Sequence, residues 1–351
     1  MKYSIIVPVY NRPDEVDELL ESLSNQTHRD FEVIIVEDGS VKTCKDVCDK
    51  YADILALHYY AKENSGPGQS RNYGAERSNG EWLLILDSDV VLPEGYLEAI
   101  DHSLSSNIVA FGGPDAAHPS FAPVQKAISY SMTSFFTTGG IRGSSPQSGR
   151  AKGALDKFYP RSFNMGIRRD VYLQLGGFSK MRFGEDIDFS YRIVEAGHSP
   201  RLFPEAWVWH KRRTDFKKFF RQVYNSGIAR INLEKRHPGT MKLVHLLPTV
   251  FTVGVIALIL ISAVGRALMH YVDRDQFYWM CFAPWIPILL YSLLICIDST
   301  IKNKSLKVGL LSVPAAFVQL MGYGLGFIES WWKRCVLRQD EFTAFEKTFY
   351  K

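Results

Sequence analysis

The sequence predicts an α/β fold, a mostly parallel sheet with helices on both faces, followed by C-terminal helices that cross a membrane. Three observations carry this: short apolar runs that close on polar residues, helical periodicity between those runs, and three long uncharged stretches beyond residue 242. Tyr3–Val9 is an apolar run ending in a proline-containing turn, the pattern of a buried parallel strand. After Pro13 the spacing of Val16, Leu19, Leu20 and Leu23 is helical, with Asp14 and Glu15 favourable in the first turn. Phe31–Val36 reads as a second strand running into Glu37-Asp38-Gly39-Ser40. Leu55–Tyr60 reads as a third strand, and the loop Asn64–Gly68 leads to a helix over Gln69–Ser78. Trp82–Leu86 is a fourth strand that ends in Asp87-Ser88-Asp89. Alternation of this kind builds an open parallel sheet, whose ligand sits beyond the carboxyl ends of the strands.

Composition narrows the class. In 351 residues, 46% hydrophobic and 13% aromatic content with 22% charged residues excludes global disorder. A net charge of +4 is too mild for a nucleic-acid binder, so no nucleic-acid partner is expected. Five cysteines are too few for a disulfide framework, and Cys44 and Cys48 read as packing residues in a reducing compartment. The opening MKYSIIVPVYNR has too short an apolar run for a signal peptide, which keeps the globular part in the cytosol.

The stretches Val244–Gly265, Phe277–Ile297 and Val308–Ile328 contain no Asp, Glu, Lys or Arg. Each can cross a hydrocarbon core of about 30 Å. The chain therefore divides into a soluble domain over 1–210, a basic amphipathic segment over 211–242, a membrane region over 243–330 and a tail over 331–351. Phe216, Phe219, Phe220 and Val223 among Lys and Arg suggest a helix lying on the membrane surface. The basic run from Lys211 to Lys242 orients the soluble domain toward the cytosol as part of a multi-pass cytoplasmic-membrane protein. Lys302, Lys304 and Lys307 fit that orientation, but Lys333 and Arg334 fall on the wrong side after three crossings. Pro314, Gly322, Gly324 and Gly326 leave a broken or re-entrant third segment open.

Two carboxylates at Asp87 and Asp89 bracket one residue at a strand end, and side chains two apart in an extended segment point the same way. Hard oxygen ligands in that arrangement suit Mg2+ or Mn2+. Taken alone, the pair also reads as a polar turn after a strand.

The runs IIVPVYNR, VIIVEDGS, NSGPGQSRNYGAERSNGEWLLILDSDV and GGFSKMRFGEDIDFSYRI, in this order and spacing, resemble the family 2 glycosyltransferases of the GT-A fold, in particular membrane-anchored, bacterial-type members. The resemblance covers residues 3 to about 195 and implies an inverting transfer from a nucleotide-diphosphate sugar, assisted by Mn2+ or Mg2+. It assigns Pro8, Tyr10 and Asp38, with Glu37 beside them, to the nucleobase, and Arg71 to the nucleotide or its phosphates. It places Asp87 near the ribose with Ser88 alongside, and makes Asp89 the metal ligand. Read as residues, Asp38 also suits a turn cap before Gly39.

Glu185, Asp186 and Asp188 open an amphipathic helix, where acids commonly complement the helix dipole. The resemblance makes Asp186 the general base and Glu185 a supporting group, and sets Asn164 and Asp188 on the acceptor side. Arg192 can pair with Asp188 one turn later. His210 ends an alternating strand-like run, and some members use a histidine there as a further metal ligand. Beside Lys211 it reads equally as a solvated polar residue. The glycine- and serine-rich stretch between Gly112 and Ser162 is expected to be an irregular loop that closes over the donor or admits the acceptor, an inert surface loop being the plainer reading. The processive synthases' Gln-x-x-Arg-Trp motif is missing, since Gln222 is followed by Val223-Tyr224-Asn225. Transfer of one or few sugars to a lipid-linked or cell-envelope saccharide is the expected activity. A processive synthase, a polyprenyl-phosphate sugar transferase and a catalytically silent nucleotide-sugar-binding scaffold are the alternatives. A transporter is disfavoured by the uncharged spans.

Overall fold

The structure, a computed structural model, describes residues 1–118, 120–138, 158–272 and 277–344. In chain order the first elements are β1 (Tyr3–Val9), α1 (Pro13–Ser24), β2 (Phe31–Asp38), α2 (Lys45–Tyr51), β3 (Leu57–Lys62), α3 (Pro67–Glu76) and β4 (Trp82–Leu86). Next come β5 (Val90–Val91), α4 (Tyr96–Ser103), β6 (Ala110–Gly112), β7 (Asp115–Ala116), α5 (Pro123–Thr133) and α6 (Phe135–Thr138). These are followed by β8 (Asn164–Arg168), α7 (Arg169–Gln174), α8 (Glu185–Glu195), β9 (Arg201–Leu202) and β10 (Val208–His210). The long helices that follow are α9 (Phe216–Arg236), α10 (Leu247–Val272), α12 (Ile286–Asn303) and α13 (Leu306–Trp331), with the short α11 (Tyr278–Phe282) before α12. The described residues fall into two units: one of 1–118 and 158–211, the other of 120–138 and 212–344.

The first unit is built on a seven-stranded sheet of order β3-β2-β1-β4-β8-β6-β9. Its first four strands are parallel, β8 runs antiparallel to β4 and β6, and β9 is parallel to β6. The alternation of side chains splits the apolar runs between two cores. Ile5, Val7, Val33, Ile35, Leu84 and Leu86 face one side. Ile6, Ile34, Val36, Leu83 and Ile85 face the other, with Tyr172, Phe178 and Phe189. Cys44 and Cys48 lie buried in the first core. The strands and acids therefore sit as the sequence places them, with β3 and α3 each displaced by two residues from the expected start.

A second sheet of order β5-β10-β7 joins residues far apart in sequence. It pairs His210 with Val90 across an antiparallel register, and this delivers the histidine to the end of β4.

The second unit holds three helical stretches long and apolar enough to cross a membrane, Leu243–Tyr271, Tyr278–Asn303 and Leu306–Val336. One open question is narrowed here and one expectation needs correction. The sequence leaves the third stretch open as broken or re-entrant, and α13 runs without interruption through Pro314. Phe219 and Val223 do not face a lipid surface: they are buried with Ile128 and Met132 of α5, with Val318 packed alongside. A further difference lies within Gly112–Ser162, read from sequence as an irregular loop. Residues 123–133 form α5, which belongs to the second unit and donates from Tyr130 Oη to Asp298 Oδ2 at 2.6 Å. Residues 139–157, where the glycine-rich lid is expected, lie outside the described residues.

Candidate functional site

The carboxyl ends of β1, β2 and β4 meet in one cluster of charge. After β1, Asn11 adopts a left-handed conformation (φ 54) and accepts from the amides of Val41 and Lys42 at 2.8 and 2.9 Å. This latches the first turn to the second. It leaves Arg12 to donate from Nη1 to Asp89 Oδ2 at 2.7 Å. The other oxygen of Asp89 lies 3.2 Å from His210 Nε2, and His210 Nδ1 lies 3.7 Å from Asp115 Oδ2. Phe163 stacks on the imidazole with ring centroids 4.9 Å apart.

Asp87, Asp89 and His210 each offer a ligand atom, and these atoms lie within 4.8 Å of one another. Ligands at about 2.1 Å from a single Mg2+ lie no more than about 4 Å apart, so a small contraction would close the set on an ion. Two carboxylates and an imidazole fit Mn2+ or Mg2+ by donor type.

Arg71 connects this cluster to a second pair of acids. Its guanidinium, 3% exposed on α3, donates to Asp87 Oδ1 at 2.7 Å and to Glu185 Oε1 at 3.1 Å, and lies over the Phe178 ring. Burial alone would lower its pKa, but Asp87 and Glu185 outweigh burial and raise it, so the cation is retained.

Glu185 and Asp186 open α8 just after Gly184, whose positive φ of 86 suits glycine and turns the chain sharply into the helix. Burial pushes the Glu185 carboxyl up to about 7, reinforced by the charge of Asp186 and opposed by Arg71. Burial would raise Asp186 too, but the Arg161 guanidinium, with Nε 2.6 Å from Oδ2, holds it below its ordinary value. Adjacent carboxyls are thus driven apart, one ionised and one poised near neutrality.

Several expected site residues have other placements. Glu37 and Asp38 point to opposite faces of β2, as consecutive strand residues must. Glu37 is buried and bonds Ser40 Oγ, the Cys44 amide and Tyr59 Oη, so it fixes the turn into α2. Asp38 accepts from Lys62 Nζ and from the amides of Ser65 and Gly66 at 2.9 Å. About one of its four acceptor positions is left over. Asn164 is 1% exposed, accepts from Tyr96 Oη at 2.7 Å and donates to the Ala206 carbonyl at 2.8 Å. Asp188 is 2% exposed and pairs with Arg192 at 3.1 Å, and Arg192 in turn binds the Leu175 and Gly177 carbonyls. It therefore braces a loop. Pro8 and Tyr10 are half-buried at the end of β1, and Ser88 is buried between the two aspartates.

The sequence reading missed Arg12, Asp115, Arg161 and Phe163. Arg12 stood inside the run IIVPVYNR and could have been singled out by its turn position. The others are isolated residues without a local pattern: the β7–β10 pairing brings Asp115 beside His210, and Arg161 and Phe163 reach Asp186 and His210 from the segment before β8.

Residues 4–172 match the family model described as Glycosyl transferase family 2. A Haemophilus influenzae protein named an uncharacterized glycosyltransferase is 32% identical over 200 residues, which is 55% of this chain and 62% of that protein. The pre-mycofactocin glycosyltransferase of Mycobacterium tuberculosis is 26% identical over 286 residues, 76% of this chain and 53% of its own length. The chain spans less than two thirds of the length of the curated relatives it matches. A solved mannosyltransferase from Pyrobaculum calidifontis, in complex with GDP-Man and Mn2+, shares the fold with a TM-score of 0.56 at 14% identity, covering 95% of this chain and 88% of that one. The architecture is thus the GT-A fold, and residues 4–172 are similar to glycosyl transferase family 2.

Proposed function

We propose that this protein is an inverting glycosyltransferase that moves a sugar from a nucleotide-diphosphate sugar to an acceptor hydroxyl. The observation that carries the reading is the convergence of Asp87, Asp89 and His210 with Arg71 and the Glu185-Asp186 pair. Asp186, kept ionised by Arg161, takes the acceptor proton as the acceptor oxygen bonds to the anomeric carbon. The bond from that carbon to the diphosphate breaks on the opposite face, and the leaving oxygen keeps the electron pair. Arg71 offers a fixed cation to the departing phosphates, at the cost of loosening its hold on Asp87 or Glu185. Asp87, Asp89 and His210 would hold Mn2+ or Mg2+, which supplies positive charge against the diphosphate. The Mn2+ in the Pyrobaculum complex makes that ion the first to try. Pro8 and Tyr10 line the nucleobase end with Ser88 near the ribose, and Asp38 holds the 64–66 loop and keeps an acceptor position for a base N–H.

The three long apolar helices and the basic run of 211–242 favour a cytoplasmic-membrane enzyme whose catalytic domain, residues 1–210, faces the cytosol. A lipid-linked or cell-envelope saccharide is the acceptor such an anchor would serve. Polysaccharide biosynthesis and polyprenyl-phosphate glycosylation are both compatible with it.

The test is a nucleotide-sugar panel on the full purified chain in liposomes, with and without Mn2+, beside Asp186→Asn. One nucleoside diphosphate should be released in a metal-dependent way, and the substitution should lower the rate by about 10²–10⁴-fold. Tight donor binding without turnover in the native protein, with membrane lipids supplied, would replace the enzyme by a silent nucleotide-sugar binder.

A further inference from the structure

We propose that the lipid-facing surface of this protein is a two-helix hairpin of α10 with α11–α12, and that α13 does not cross the bilayer. Residues 337–344 then return to the face from which α10 departs. The inference rests on the reading of the second unit as membrane-embedded.

The first argument is parity. The helix α9 ends at Arg236, before the first apolar stretch begins at Leu243. Three crossings would deliver the residues after α13 to the opposite face, about 30 Å of hydrocarbon away. Those residues instead touch α9. Arg236 pairs with Glu341 at 2.9 Å, Asn232 Nδ2 donates to the Phe342 carbonyl at 3.4 Å, and the Ala344 amide donates to Asn225 Oδ1 at 3.0 Å. An even number of crossings must separate Arg236 from Glu341.

The second argument identifies which helix stays out. In the most apolar part of the Leu306–Val336 stretch 50% of residues are buried, against 11% in Leu243–Tyr271 and 6% in Tyr278–Asn303, and its mean hydropathy is lower at 1.5. Large exposed apolar side chains run along α10 (Leu247, Val253, Leu260) and α12 (Ile286, Leu290, Ile297). Among the described residues of α13, none lies between Leu310 and Trp331. What covers α13 over its second half is α9: a Cβ at Gly227 would fall 2.1 Å from the Tyr323 carbonyl oxygen, and Ser330 Oγ bonds the Ile228 carbonyl. The helix α9 carries Lys217, Lys218, Arg221, Glu234, Lys235 and Arg236, which cannot accompany α13 through hydrocarbon. Two crossings also place Lys211–Lys242, Lys302–Lys307 and Lys333-Arg334 on one side, as the positive-inside rule requires.

Cys335 is exposed and lies in the segment at issue. A membrane-impermeant maleimide applied to intact cells and to inverted vesicles reads its side in the full chain, with Lys235→Cys and Asp273→Cys as markers before and after α10. Cys335 should react from the same side as Lys235→Cys and from the side opposite Asp273→Cys. Reaction of Cys335 from the Asp273→Cys side overturns the proposal and restores three crossings. If the two markers react from one side, α10 does not cross and the membrane reading itself fails. Should Cys335 be unreactive from both sides, the exposed position Asp340→Cys gives the same comparison.

Discussion

Glu185 and Asp186 are neighbours in sequence with opposite electrostatic surroundings. Arg161 stabilises the Asp186 carboxylate, while Glu185 is pushed up to about 7 by burial beside that charge. Folding therefore raises the Glu185 value from an ordinary 4.5, and the folded state holds the proton more tightly than the unfolded chain does. Its stabilising contribution is complete below 4.5 and is lost as pH rises through about 7. Glu185→Gln, which cannot ionise, should gain thermal stability relative to the native protein between about pH 5 and about pH 8. Paired melting curves at the two pH values check this, and a constant difference would refute it. The metal set is tested separately by His210→Ala and Mn2+ titration followed by electron paramagnetic resonance. Loss of an outer-shell partner alone typically weakens binding about 10–100-fold, and loss of a ligand should cost at least that. Unchanged Mn2+ affinity would remove His210 from the site.

At the scale of elements, the fold places its acids by ending strands and starting helices at the same edge. Asp87 and Asp89 follow β4, Arg71 sits in the second turn of α3, and Glu185-Asp186 begin α8. Continuous apolar runs and turn residues made these elements legible, because both sheet faces are buried. The helix α5 was not legible: Ala127, Ile128 and Met132 are interleaved with Ser and Thr, and their partners lie on α9 and α13. The buried hydrogen bonds of Asn164 and Asp188 were not legible for a related reason, since residue type does not reveal whether a polar group faces a ligand or a buried carbonyl. The seam between α9 and α13 depends on small residues. A Cβ at Gly326 would meet the Tyr224 carbonyl oxygen at 2.0 Å, whereas one at Gly254 on α10 meets nothing within 4 Å. Gly326→Ala should therefore destabilise the protein by about 1–3 kcal/mol in detergent unfolding experiments. Gly254→Ala should be close to neutral in the same assay, and equal effects would contradict the tight seam.

For the whole molecule, charge and topology have to agree. The sidedness of Cys335 relative to Lys235→Cys is the measurement that decides it, and two crossings remove the conflict that Lys333 and Arg334 pose for three. By itself the sequence determined the α/β class, the strand ends that carry acids, the family motifs and the apolar stretches. Each of these is a local pattern, set by side-chain period, turn chemistry or length. Only the tertiary structure decided that His210 meets Asp89, that Arg71 joins Asp87 to Glu185, and that residues 341–344 return to α9. Those contacts join residues 16 to 121 positions apart. They follow from strand register and helix packing, where burial of the whole chain selects the partner and no local pattern records it.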